Sequence, residues 1–310
     1  VKDALIYITV IAAAIVIPAK LGGWAHIFSA SAAALAARPK PVSIYLQPSQ
    51  YFAYATMALG SAMSLFIYPH SITSVLAAKS KEVIRRNAAL LPIYSILLAL
   101  LALLGYCAVA AGIVTKDTTA IVPLLFARYF PDWFTGVADA AIVIGALVPA
   151  AIMSIGSANL FVSNVFKEFS AERSHGDARL AKLLTLVMCV SGLLIIFFVP
   201  VPYAIDFQLL GGALMLQIFP AFVFGLWTRW FHPKALILGW GCGIAISCVM
   251  MVAAGWTSNF TIHLFGISLT GFIALYALAL NLAVASLTTL ALRRANLDPG
   301  TDRTSPGDYE

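Results

Sequence analysis

What most limits the fold of this 310-residue chain is a succession of long apolar blocks that carry almost no charge. Ala88–Ile113, for example, runs 26 residues without an Asp, Glu, Lys or Arg. In hydrocarbon each backbone N–H and C=O must find a partner inside the protein, and over a continuous block of this length only an α-helix provides one. The composition agrees: 61% of residues are hydrophobic and 10% charged, where a soluble globular chain carries about a quarter charged residues. A β-barrel would need short segments of alternating polarity, and these blocks are continuous Leu, Ile, Ala and Val.

The blocks predict about eight membrane-spanning helices in an all-α polytopic membrane protein: 3–18, 52–76, 88–113, 136–166, 183–199, 206–227, 235–255 and 267–292. They form one transmembrane domain over 1–295, followed by a polar tail over 296–310. The lipid bilayer is thus the first expected partner. Cys107, Cys189, Cys242 and Cys248 all fall inside predicted spans, with no spacing that suggests a disulfide framework or a zinc site. The net charge of +6 forms no single basic stripe, so no nucleic-acid partner is expected.

The basic residues instead set an orientation. Lys2, Lys79, Lys81, Arg85, Arg86, Lys167, Arg173, Arg179, Lys182, Arg229, Lys234, Arg293, Arg294 and Arg303 fall on one side, against Lys20, Arg38, Lys40, Lys116 and Arg128 on the other. The positive-inside bias makes the first side cytoplasmic and places both ends of the chain there. The expected location is the cell membrane, crossed many times. The chain opens at Val1 without an initiator Met and enters a span almost at once, which reads as part of a longer protein. On the outer side, 19–51 is expected to form a partly helical cap, and 120–130 a second surface helix.

Three spans hold residues that can carry chemistry. In the fourth, Pro149 cannot donate an amide hydrogen, so the Gly145 carbonyl loses its helical partner, and Ala151 and Ser154 share a face just beyond it. A backbone carbonyl and a hydroxyl are hard oxygens of the kind an alkali cation needs once it sheds water. The bland alternative is that Ser154 bonds back to the Ala150 carbonyl while small residues merely allow close helix packing. In the second span Ser61 and Ser64 share a face, and Pro69 breaks the helix beside His70. Such breaks expose backbone groups in transporters, although a kinked helix with packing serines reads the same way. His70 has a side chain that can serve proton coupling or simply hydrogen-bond as a structural residue.

In the sixth span Asp206 and Gln208 lie near the outer end, and Gln217 lies deep enough to need a hydrogen-bond partner. No two histidines sit where facing helices would ligate haem. No metal-ligand cluster and no paired nucleophile and base stand in the spans, so no enzyme, no catalytic residue and no organic cofactor are expected.

Three stretches together resemble the sodium:solute symporter family. They are Gly60–Lys79, ending Tyr-Pro-His-Ser-Ile-Thr-Ser-Val-Leu-Ala-Ala-Lys; Pro149–Glu168; and Phe219–Gly239, with Phe-Gly-Leu-Trp before a short basic loop. The run Ala-Leu-Val-Pro-Ala-Ala-Ile-Met-Ser-Ile-Gly-Ser-Ala-Asn-Leu-Phe is most similar to the bacterial monocarboxylate branch, whose solutes are acetate, lactate and pyruvate. The resemblance implies a LeuT-like fold of two inverted repeats, incomplete here: the fifth core helix, the whole second repeat and two further helices.

It further implies cation-coupled symport of a small organic solute, with Na⁺ or H⁺ as coupling ion. Ala151 and Ser154 match cation ligands, Ser61 and Ser64 match substrate-contacting or gating positions, and Gln208 is a weaker substrate match. Where many sodium-dependent relatives carry a second hydroxyl, this chain has Ile155, which leaves Na⁺ against H⁺ open. Two other readings are a family-like sensor module, which the short tail disfavours, and a symporter of an amino acid such as proline. Nothing in the sequence indicates an oligomeric state.

Overall fold

The computed structural model describes residues 2–169, 177–199, 203–264, 266–298 and 300. Arg173, His175, Arg303 and the rest of the tail beyond Gly300 lie outside the described residues. Thirteen α-helices appear among the described residues. They are α1 (Lys2–Lys20), α2 (Trp24–Ala36), α3 (Tyr51–Ile67), α4 (Pro69–Leu76), α5 (Lys81–Ala110), α6 (Ile121–Tyr129), α7 (Asp132–Phe161), α8 (Lys167–Phe169), α9 (Asp177–Phe198), α10 (Ala204–Leu216), α11 (Gly225–Trp227), α12 (Pro233–Ala253) and α13 (Ile273–Arg294). A π-turn, Val162–Phe166, joins α7 to α8, and a second, Pro220–Phe224, leads into α11. Seven helical stretches are long and apolar enough to cross a bilayer, and α3 with α4 makes an eighth if that bent pair is one span.

The chain divides into two compact units, Val1–Gln47 with Thr73–Ser191, and Pro48–Ile72 with Gly192–Glu310. In the first, α1 packs on α5, α6 and α7, and α2 packs on α5. Ala13, Ile17, Ile27, Leu104, Leu125 and Phe126 form its core. Both connections expected to contain helix do so, α2 within 19–51 and α6 within 120–130. Ser31 of α2 donates to the Tyr106 carbonyl (2.9 Å), adding a polar tie to the apolar packing of Ile27. Two basic residues then cap helix ends: Lys20 Nζ donates to the Tyr129 carbonyl (2.6 Å) and Arg128 to the Ala111 carbonyl (2.8 Å). These carbonyls lack intrahelical partners and sit at the negative end of their helix dipoles. Between α5 and α6, Asp117 accepts from the Thr119 hydroxyl (2.6 Å) and amide (2.9 Å), which holds its carboxyl below the usual range.

In the second unit α12 and α13 run against each other over their length, and α10 packs on α3, α12 and α13. Ile67, Leu210, Ala213, Leu216, Phe272 and Leu278 fill the space between them. The expected last span is corrected at its start. Ile267–Phe272 is a β-strand paired antiparallel with Asn259–Leu264, and the helix begins only at Ile273. The fold is that of the expected all-α polytopic membrane protein with one small hairpin added between two of its helices. The physical reason is a two-residue period on both sides of Gly266: Phe260, Ile262 and Leu264 alternate with Thr261 and His263, and Ile267 and Leu269 alternate with Ser268 and Thr270. Gly266 adopts φ 81° in the connection. Polar cross-strand pairs finish it, Thr261 with Thr270 and His263 with Ser268, both at 2.8 Å.

Candidate functional site

The predicted site residues fall in two places. Ser61, Ser64, His70 and Gln208 belong to the second unit, and Ala151 and Ser154 to the first.

In the second unit, α3 ends at Ile67 because the next residue precedes a proline. Tyr68 is driven to ψ 136°, and α4 departs at 47° from the axis of α3. Ser64 is 2% exposed, and its hydroxyl reaches both the Gly60 carbonyl on its own helix (2.7 Å) and the Gly212 carbonyl on α10 (3.1 Å). The approach depends on Gly212, where an added Cβ would stand 3.1 Å from the Tyr68 hydroxyl. Tyr68 donates in turn to the Gln208 carbonyl (3.2 Å). Two hydroxyls from the broken helix therefore meet two consecutive turns of α10. The Gln208 side chain is exposed and Ser61 is half-buried. The Tyr68 and His70 rings are stacked, 5.3 Å apart.

In the first unit α7 continues unbroken through Pro149. Gly145, whose carbonyl that proline leaves without an amide, lies against Ile6 of α1, whose Cδ1 stands 3.2 Å from the place of a Cβ. Ser154 is half-buried, and its Oγ accepts from the Cys189 thiol of α9 at 3.6 Å. Ala151, Ser157 and Asn159 are exposed. Polar groups left open on a helix this apolar are costly toward lipid, so this face of α7 suits a wet cavity or further protein.

A buried amide cluster in the second unit was half legible. Gln217, the buried amide singled out above, stands at a break. Gln217 and Ile218 make tight i→i−3 bonds to Leu214 (3.2 Å) and Met215 (3.1 Å), and Pro220, which has no N–H, follows. Gln217 Nε2 donates to the Ala213 (3.0 Å) and Ala274 (3.3 Å) carbonyls. Asn281 of α13 donates to the Gln217 main-chain carbonyl (2.8 Å) and to its Oε1 (3.3 Å). Both residues are fully buried. Gly239 and Gly243 of α12 make room: a Cβ on Gly243 would stand 2.4 Å from Gln217 Oε1, and one on Gly239 2.7 Å from Asn281 Oδ1. Asn281 gave no signal of its own, since one amide in an apolar helix has no spacing to read.

Among the described residues no group of three or more His, Cys, Asp or Glu side chains is placed to hold a metal ion. The alkali-ion candidates are oxygens of Ala151 and Ser154, and among the described residues the Ser154 hydroxyl contacts the Cys189 thiol.

No family profile matches the chain, and no solved structure does. Over 294 residues, 94% of this chain and 60% of the relative, it is 47% identical to the "Monocarboxylate transport permease protein" of Rhizobium johnstonii. It is 32% identical over 206 residues to the "Uncharacterized symporter YodF" of Bacillus subtilis, covering 64% of this chain and 40% of that one. A second Bacillus subtilis protein, "Uncharacterized symporter YhjB", is 26% identical over 233 residues, 73% of this chain and 46% of its own. The chain thus spans about half the length of these relatives. All three carry the names of transport proteins rather than enzymes. The chain is a multi-pass membrane homologue of proteins named as a permease and as symporters.

Proposed function

We propose that this chain forms part of a secondary active transporter, a symporter of the sodium:solute type that moves a small monocarboxylate with Na⁺ or H⁺ by alternating access. The observation that carries the reading is the 47% identity over nearly the whole chain to a protein named for monocarboxylate transport. The local geometry is compatible with it. A LeuT-like core uses discontinuous helices, and here α3 breaks at Tyr68 and α10 at Gln217. At such breaks the backbone groups that leave the helix ladder must be satisfied by other groups, as Asn281 does for Gln217, or by a bound solute or ion.

In this reading the protein sits in the cell membrane with both ends of the chain in the cytoplasm. The Ala151 carbonyl and Ser154 hydroxyl supply two oxygens to the coupling cation, and Ile155 next to them adds none. Proton coupling, which needs no oxygen cage, is then as available as sodium coupling. Ser61 and Gln208 lie along the solute path, while Ser64 works through helix contact, its proton being already engaged by carbonyls.

The deciding experiment is uptake of labelled acetate, lactate, pyruvate and proline by the full-length protein in vesicles, with sodium and proton gradients imposed separately. Accumulation of a monocarboxylate under one gradient is expected; accumulation under neither overturns the reading, and uptake of proline alone moves the substrate class. Ser154→Ala is expected to raise the concentration of cation giving half-maximal uptake about tenfold if the hydroxyl is a ligand. An unchanged cation response assigns Ser154 to packing.

A further inference from the structure

At the shared end of α12 and α13 the second unit holds a cavity of about 310 Å³. That is the low end of the size range for small-ligand pockets. Its lining joins an aromatic and apolar rim, Trp230, Phe231 and Leu297, to Arg293, Asn296 and His232. Trp230 and Phe231 meet edge to face with centroids 4.7 Å apart. Arg229 and Lys234 flank the same turn, and Arg294 follows Arg293. Asp298, the carboxylate of the lining, accepts from the Gly300 amide (2.9 Å).

His232 supplies the second, independent observation. It is 3% exposed and caps α12, its Nδ1 accepting from the Lys234 amide at 3.2 Å. A ring nitrogen that accepts carries no hydrogen, so the ring proton is on Nε2. That Nε2–H is buried and has no hydrogen-bond partner among the described residues. A buried donor without an acceptor is costly and rare enough to require a reason. Arg293 stands in the same wall with five N–H donors, of which Nη2 is engaged by the Arg229 carbonyl (2.8 Å). The wall thus holds more donors than acceptors, Asp298 being the carboxylate among them, and Arg229, Lys234 and Arg294 beside it tip the local charge to positive.

We propose that this pocket binds the phosphate of an anionic lipid headgroup, with Arg293 and the His232 Nε2–H as donors and Trp230, Phe231 and Leu297 against the acyl-proximal part. Chemistry and place agree. A guanidinium fork matches phosphate oxygens, tryptophan favours the headgroup level, and basic pockets between helix ends at a membrane face retain anionic headgroups. A soluble carboxylate would satisfy the donors but would leave the apolar rim uncovered.

The test is native mass spectrometry of the full-length protein in detergent, titrated separately with phosphatidylglycerol, phosphatidylcholine and inorganic phosphate. Phosphatidylglycerol is expected to bind at least tenfold more tightly than phosphatidylcholine. Arg293→Gln is expected to remove most of that preference without changing phosphatidylcholine binding, which also shows that the variant is folded. Arg294→Gln is expected to retain the preference. Arg293→Lys, which keeps the charge, is expected to restore part of it should the Gln variant not fold. Equal binding of the two lipids, or a preference that survives Arg293→Gln, overturns the proposal. Binding of inorganic phosphate at the same strength as phosphatidylglycerol reassigns the pocket to the free ion and overturns the lipid assignment.

Discussion

Gln217 and Asn281 show how far single residues could be read. An amide deep in an apolar run needs a partner, so Gln217 was legible as a position of consequence. That its partner would be Asn281 was not, because the pairing depends on how α10 and α13 cross. The energetic stake follows from burial. Asn281→Leu removes the donor to a buried main-chain carbonyl, which costs about 1–3 kcal/mol, and a lower midpoint of thermal unfolding in detergent measures it. The double variant Gln217→Leu with Asn281→Leu is expected to lose less than the sum of the two, since neighbours in one network couple by about 0.5–3 kcal/mol. The glycines opposite give a sharper contrast. Gly243→Ala forces a Cβ to 2.4 Å from Gln217 Oε1 and is expected to cost about 1–3 kcal/mol, as overpacking usually does. Gly241→Ala on the same helix meets nothing within 4 Å and is expected to be neutral or slightly stabilising.

Among the elements, long apolar helices were plain from hydropathy because nothing else crosses hydrocarbon. The break at Tyr68 was plain from Pro69. The hairpin was not, since a hydropathy count merges Ile-Ser-Leu-Thr-Gly-Phe with the helix that follows it; only the alternation of side chains, a weaker signal over six residues, separates the two. The hairpin is fixed at its base by two contacts from α3. The Phe272 amide donates to the Thr56 hydroxyl (3.0 Å), and Phe272 lies so close to α3 that a Cβ on Gly60 would stand 2.6 Å from its ring. Thr56→Val keeps the shape and removes the acceptor, so faster hydrogen exchange at the Phe272 amide is expected, with the α12 amides unchanged. Gly60→Ala is expected to displace the Phe272 ring and to loosen the whole hairpin in the same measurement.

For the whole molecule, the multi-pass membrane character was legible in the sequence, while the site's full geometry was beyond it. Two oxygens on α7 do not make a cation site, and the rest of any cage depends on contacts that no spacing within one helix reveals. No side chain in the apolar stretch of α9 is buried, and Ile196, Phe197 and Phe198 are 67%, 75% and 81% exposed. Such surface requires lipid or more protein around it. The orientation is open to direct measurement. With Cys107, Cys189, Cys242 and Cys248 replaced by Ala, a cysteine at Lys116 is expected to react with an impermeant maleimide on intact cells. One at Lys81 is expected to react only after permeabilisation; the reverse pattern would invert the topology.

The bond that fills the break in α10 also has an order in time. Asn281 lies 64 residues downstream of Gln217. As the chain leaves the ribosome, α10 is therefore complete while its freed carbonyl still lacks the amide that will hold it. That hydrogen bond can form only after α12, the hairpin and the first turns of α13 have been delivered, so the end of α10 is completed by a residue made well after it.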